Sequence, residues 1–373
     1  MNYTSKRMMK TKILTILSLI TILISVGCSE NDGKRDKTFL PKATGRAGEM
    51  IVVMDSAQWA GELGEEIKQT FRAELEGLPR DERMFKINRV DPTKLNNLLK
   101  GVKNLLFVMT LDSRSGQSKV LKNYFTKSSL DRIKKDSSIY VHTKTDEFAK
   151  GQSIMYLFSS TEKALIQKIK GNKDVLQNYF NNAEKDRLTK GLFKAKESKG
   201  LRDMLRKEHE CSMRVPFGYK LVVNEKGFIW FRQINDESDK NVFITYKDYI
   251  SREDFQKGKL ILWRDSVAGE QLFEDPDLTD SYIVTETSVP YIPVTTKETN
   301  FNGKYGVEMK GLWKTNNLSM GGPFLGFSVV DEALGRIYYI EGFVYSPGKN
   351  QREFMREMEV ILSTFRIKEE FKS

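Results

Sequence analysis

Glu49-Met50-Ile51-Val52-Val53-Met54 is followed without a break by Asp55-Ser56-Ala57-Gln58-Trp59, and this junction decides how the first half of the chain folds. A short continuous apolar run of this kind predicts a strand buried on both faces. Asp55, with Gln58 three residues on, carries the pattern of a helix start. Trp59, Leu63, Ile67, Phe71 and Leu75 then recur every four residues. They predict one apolar helix face over about 20 residues, stopped by Gly77-Leu78-Pro79. Strand passing directly into amphipathic helix is the signature of a sheet layered with helices.

Working outward, the same alternation continues. Phe85 to Val90 predicts a strand, Asp91-Pro92 the start of a short helix, and Leu105 to Leu111 another buried strand. Helix is expected over 118–135, and strands over Ser138 to His142 and Ser153 to Phe158. A second capping pattern, Ser159-Ser160-Thr161-Glu162, opens a long charged helical stretch reaching Phe193, with a break at Gly171-Asn172.

Lys194 to Gly200 is polar and ends in glycine, and the texture changes beyond it to long amphipathic strands. Met213 to Val223 and Gly227 to Gln233 flank a turn of hairpin length at Asn224-Glu225-Lys226. Asn241 to Tyr249 predicts a third strand, and Ser251-Arg252-Glu253-Asp254 opens a helix running towards Leu272. Tyr305 to Trp313, Phe324 to Val330 and Arg336 to Tyr345 predict strands around the Ser319-Met320-Gly321-Gly322-Pro323 loop. A helix from Asn350 closes the chain, with Phe354, Met355, Met358, Ile361, Leu362 and Phe365 on one stripe. The expected fold class is therefore α+β (mixed α/β) with two domains, 39–195 and 200–373, each a sheet packed against helices. The second is an antiparallel sheet with a closing helix.

The N-terminus sets the compartment. Lys6, Arg7, Lys10 and Lys12 precede an apolar stretch, Ile13 to Val26, and no acidic residue stands before Cys28. That stretch has signal-peptide length and is shorter than the roughly 20 residues needed to span a bilayer. Ile24-Ser25-Val26-Gly27-Cys28 resembles the lipobox of bacterial lipoproteins, with Ser25 where Leu is usual. The resemblance implies a signal peptide over 1–28, lipidation of Cys28, a polar tether over 29–38 and attachment to a membrane through the lipid. Ser29 gives no sign of inner-membrane retention, so the outer membrane is expected, with the domains facing the periplasm rather than the cell surface.

The runs TGRAGEMIVVMDSAQW, RVPFGYKLV, GFIWFRQ, NLSMGGPF and YYIEGFVYSPGKNQREFMREMEVILSTFRI resemble a family of Bacteroidota lipoproteins known only as a domain of unknown function. Residues 205–370 are also similar in layout to PsbP-like domains, through Met213-Arg214-Val215-Pro216-Phe217-Gly218-Tyr219 and the closing Ser363-Thr364-Phe365-Arg366. Neither resemblance carries a catalytic residue over. PsbP-like folds serve mostly in binding or assembly, which the second resemblance implies here.

Composition excludes several classes. The net charge of +11 is interleaved with acids rather than gathered into a basic stripe, so nucleic acid is not an expected partner. Cys28 and Cys211 are the only cysteines, and lipidation of the first leaves no disulfide framework. His142 and His209, with one free thiol, supply no zinc ligand set. Ser160 to Lys163 fits S-x-x-K without its companion motifs, and Asp275 to Glu286 has Asp280 where an EF-hand loop needs glycine. No phosphate-binding glycine loop is present. No metal, no cofactor and no catalytic residue are expected.

Strand alternation sets Phe228, Trp230 and Arg232 on one face and Ile229, Phe231 and Gln233 on the other. Glu341 shares a face with Ile337, Tyr339, Phe343 and Tyr345, and Trp263-Arg264-Asp265 adds a further aromatic and cation. A charge in an aromatic strand must be paired or sit at a wet rim. One expectation is an Arg232–Glu341 pair or two charges on the exposed sheet face. The other is an aromatic-lined binding surface formed by Trp230, Arg232, Trp263, Arg264 and Glu341. The functional expectation is a non-catalytic, lipid-anchored envelope protein that binds an envelope protein partner. An envelope hydrolase with unmarked carboxylates and a small-ligand carrier are the alternatives.

Overall fold

The computed structural model describes residues 39–194, 197–275, 278–290 and 292–371. Cys28, the apolar run before it and the 29–38 tether lie outside the described residues, as does Asp277 of the acidic run. From Lys42 onward the chain forms one compact unit that holds two large sheets and a two-stranded one among the described residues.

The first sheet contains β1 (Glu49–Val53), β2 (Lys86–Val90), β3 (Asn104–Thr110), β4 (Val141–Thr145) and β5 (Ser153–Ser159), in the order β2-β1-β3-β5-β4. All pair in parallel except β4. Helices cover both faces, which is why β3 and β5 are buried at every position and read as unbroken apolar runs. On one face Met50, Val52, Leu106 and Leu157 meet α1 (Ser56–Ala60), α2 (Glu62–Phe71) and later helices through Leu63, Ile67 and Phe71. On the other, Leu105, Phe107 and Tyr156 meet Leu121 and Ile133. Those two come from α4 (Gly116–Lys122) and α5 (Lys127–Lys135), which follow the short α3 (Asn97–Lys100). The charged stretch forms α6 (Glu162–Gly171) and α7 (Lys173–Leu192), broken at Asn172 as expected.

Several boundaries differ from the sequence reading. The single long helix is two, because Gly61 adopts an extended conformation between α1 and α2. It ends at Phe71, before Leu75, whose N–H instead donates to the Glu82 carbonyl across a loop. Asp55 does cap α1, accepting from the N–H groups of Ala57 and Gln58. The Gln58 side chain does not return to the cap but donates to Thr110 and Glu162. The cap of α6 is Thr161, accepting from the Ala164 N–H.

The second sheet is antiparallel with nine strands. Its path runs β10 (Phe273–Asp275), β11 (Leu278–Glu286), β13 (Lys304–Thr315), β14 (Gly321–Asp331), β15 (Arg336–Tyr345), β9 (Ser238–Asp248), β8 (Phe228–Asn235), β7 (Lys220–Glu225); β12 (Thr295–Phe301) pairs with β13 as a side branch. This is the antiparallel second domain expected from the amphipathic strands. The expected Met213–Val223 strand is interrupted. Within it only the part from Lys220 on forms strand, in β7, which pairs with β8, because Pro216 lacks a donor and Gly218 turns the chain at φ +96°. Just before it lies β6 (Cys211–Ser212), which pairs with β16 (Arg366–Ile367). Helix α8 (Lys199–Glu208) and strands β10 and β12 were not foreseen.

Alternation along β8 and β15 holds residue by residue. Ile229, Phe231, Tyr338 and Ile340 pack with α8, α10 (Arg352–Leu362), β6 and β16 (Arg366–Ile367). Phe228, Trp230, Tyr339 and Phe343 pack under α9 (Lys257–Gln271). The closing helix lies close to the sheet at Gly342, where a Cβ would stand 2.7 Å from the Met358 Cβ.

The two domains meet along α10. Gln351 supplies no side-chain cap to that helix. The Glu82 carboxylate of the first domain does so instead, accepting from the N–H groups of Gln351 at 2.5 Å and Arg352 at 2.9 Å. A carboxylate at a helix N-terminus is favoured by the unpaired amides and by the helix dipole. Arg352 donates back to the Arg83 carbonyl, and Lys185 of α7 pairs with Glu359.

Candidate functional site

The five residues expected to form one binding surface fall into two groups, and three of them are buried. Arg264 and Glu341 are fully inaccessible and Trp230 is 2% exposed. A surface made of these side chains is therefore excluded.

Glu341 lies in the middle of β15, between Gly326 on β14 and Phe243 on β9. Its partner is Arg264 from α9, not Arg232. The guanidinium grips the carboxylate through Nε–Oε2 and Nη2–Oε1, both 2.8 Å. The Tyr339 hydroxyl donates to Oε2 at 2.5 Å. Arg264 Nη1 reaches Thr285 Oγ1 at 3.0 Å and Asp265 at 3.3 Å, and Asp265 accepts from the Thr285 N–H and hydroxyl. The guanidinium also stands 4.3 Å above the Phe324 ring. Burial pushes the Glu341 carboxyl up, opposed by Arg264 and Tyr339. Burial and the Glu341 charge together carry the Tyr339 hydroxyl well above the usual tyrosine range. Trp263 is half-buried beside Tyr339, with the Lys247 ammonium 4.8 Å from its ring. With every strong donor and acceptor in use, this cluster is a pin between helix and sheet.

Arg232 pairs with Asp239 on β9, through Nε–Oδ1 at 3.0 Å and Nη2–Oδ2 at 2.5 Å. Asn241 links this pair to the aromatic core, donating to Asp239 and accepting from the Trp230 indole N–H, both at 2.9 Å. Trp230 and Arg232 line a recess with Phe273, Trp313, Met320 and Phe343, in which about 10 Å³ is free. That is room for about one water. The Trp313 indole N–H faces no partner among the described residues.

The remaining motifs are structural. His209 is buried between Tyr246 and Asn224, and the Asn224 amide is oriented by donating to Glu208. Burial drives the Cys211 thiol far above the usual range, which leaves it unreactive. Glu286, from the acidic run, is held down to about 2 by Ser288 and Lys314. Among the described residues no three acidic, histidine or cysteine side chains are placed to hold a metal.

An open concavity lies elsewhere, between the two domains, and others of similar volume lie against the second domain alone. The one between the domains encloses about 590 Å³, walled by the 73–78 loop and α7 on one side and by β12, β13, β14 and α10 on the other. Leu78, Met84, Phe324 and Met355 give it apolar patches, and Lys173, Lys297, Lys310 and Arg352 give it cations. Lys310 is paired with Glu308 and Arg352 with Glu353, whereas Lys173 and Lys297 have no ion-pair partner among the described residues. The sequence reading missed this cleft. Its residues come from segments scattered between Ala73 and Glu359, and none stands out along the chain.

Comparison with known proteins gives domains rather than an activity. No curated protein matches the chain. The solved Ran-binding protein Mog1p of Saccharomyces cerevisiae is similar at 7% identity, with 43% of this chain and 90% of that chain covered and a TM-score of 0.27. Human StAR-related lipid transfer protein 5 is similar at 11% identity, covering 48% and 93%, with a TM-score of 0.21. Scores this low carry no argument. Residues 43–193 match the family model described as Domain of unknown function (DUF8532) and residues 198–364 the one described as Domain of unknown function (DUF4837), so the chain carries two adjoining domains of unknown function.

Proposed function

We propose that this chain is a lipid-anchored cell-envelope protein whose paired domains act as a non-catalytic binding or assembly module. The observation that carries the reading is the cleft of about 590 Å³ walled by both domains. It combines apolar patches with unpaired cations, the mixed character of a recognition surface. The charged groups of the second domain's core are committed to one another. A Bacteroidota origin and a PsbP-like second domain belong to this proposal, resting on the sequence motifs alone. Cys28 is the lipidated residue, the outer membrane the address, and the domains face the periplasm.

The cleft's volume falls within the range of small-molecule sites, roughly 300–1,000 Å³. That observation favours a ligand carrier as the second reading.

Crosslinking in intact cells followed by pull-down tests the first reading. The wild type is expected to retain an envelope protein that Lys173→Glu/Lys297→Glu loses. Recovery of lipoprotein-trafficking machinery alone would contradict it. A small molecule co-purifying with the wild type and absent from that variant, seen by native mass spectrometry, would favour the carrier. For the anchor, Cys28→Ala is expected in soluble or inner-membrane fractions, and its persistence in the outer membrane would refute lipidation.

A further inference from the structure

The second sheet ends on β7, Lys220-Leu221-Val222-Val223-Asn224-Glu225, which pairs with β8 on its inner edge only. Among the described residues no backbone hydrogen bond joins its outer edge to another element. Apolar side chains gather along this margin. Phe217 is 73% exposed and Ile234 66%, and Leu221 and Val222 are also in contact with solvent. An open edge with exposed apolar side chains is a template for another strand.

The charges on β7 say which strand. Lys220 and Glu225 stand at its two ends, exposed, and neither has an ion-pair partner among the described residues. Both oppose β8 residues of the face under α9, Lys220 against Arg232 and Glu225 against Phe228. Suppose two copies of β7 pair antiparallel about a two-fold axis between Val222 and Val223. Lys220 of each copy then stands opposite Glu225 of the other, on the same face of the joined sheet. Opposite charges directly across an antiparallel pair attract, and like charges repel. A parallel pair would set lysine against lysine. The strand is thus complementary to itself in one orientation, which is the requirement of a two-fold interface.

We infer that the chain forms a two-fold dimer through β7, its partner being a second copy of itself. A bulge at Val222, where Leu221 opposes Phe231 and Val223 opposes Trp230, adds twist and keeps the contact short. The dimer is therefore a weak one, below the size of a standard interface.

Sedimentation velocity of the full-length chain in detergent micelles, over a concentration series, tests this. The wild type is expected to pass from monomer to dimer as concentration rises. Lys220→Glu and Glu225→Lys each place like charges opposite one another at both ends, and each is expected to weaken the dimer at least about tenfold. Mixing these two variants restores complementarity, as does the double exchange Lys220→Glu/Glu225→Lys, so both are expected to recover wild-type association. Melting curves matched to the wild type establish that the variants are folded; Lys220→Gln and Glu225→Gln are used where they are not. A monomer at every concentration would overturn the inference. So would a dimer indifferent to the single exchanges, which would then form through the micelle or another surface, or a double exchange as weak as the singles.

Discussion

The second domain holds two arginine–carboxylate forks on the same face of the same sheet, and their surroundings separate them. Arg264–Glu341 lies at the centre, fully inaccessible, with Tyr339 and Thr285 completing its hydrogen bonds. Arg232–Asp239 lies beside a small recess, with its side chains 17% and 10% exposed. At the centre, a charge left alone has no water to turn to; towards the rim, solvent shares the load. The same pairing chemistry therefore carries different stakes, set by depth rather than by geometry.

The difference is best broken at the centre. Glu341→Ala leaves the Arg264 guanidinium buried and unpaired, and is expected to cost about 3–5 kcal/mol in a denaturant unfolding experiment. Replacing both partners by apolar groups, Arg264→Met/Glu341→Leu, removes the charge together with its partner. It is expected to be neutral or up to about 4 kcal/mol more stable than the wild type. A double variant as damaged as the single would mean that the pin holds α9 in a way packing cannot replace. At the recess, Asp239→Ala should cost less, about 1–2 kcal/mol, because Arg232 retains access to water. Equal losses at the two sites would refute the argument from depth.

The seam between the domains contributes one part of the pH dependence. Burial raises the Glu353 carboxyl, but Arg356 and Arg352 more than offset it and hold the group below the ordinary glutamate value of 4.5. A carboxylate depressed in the folded state contributes stability that is present above its unfolded value. That stability is lost as pH falls through the folded one. Urea unfolding between pH 7 and pH 3 should therefore show a decline beginning near pH 4.5, and Glu353→Gln should flatten part of it. An unchanged slope in that variant would assign the acid sensitivity to other carboxylates.

The first domain was more legible in the sequence than the second. Runs such as Leu105 to Leu111 announce strands buried on both faces, and Asp55 and Thr161 mark helix starts through short-range contacts. Misreadings came at Gly61 and Leu75, where one periodic face runs across a break in the helix. In the second domain the alternation of β8 and β15 could be read, face by face, because it too is local. The partner of Glu341 could not. Arg264 lies 77 residues away, and only the packing of α9 on the sheet chooses it over Arg232. The cleft was invisible for the same reason, since Lys173 and Lys297 resemble any surface lysines until the domains meet.

That meeting of domains is the central claim, and photo-crosslinking from within the cleft tests it most directly. A photoreactive residue at Lys173 or Lys297 should capture a common partner or ligand in intact cells, whereas one at the exposed Lys134 of α5 should not. Capture of the same species from Lys134, or of nothing from either cleft position, would contradict the account.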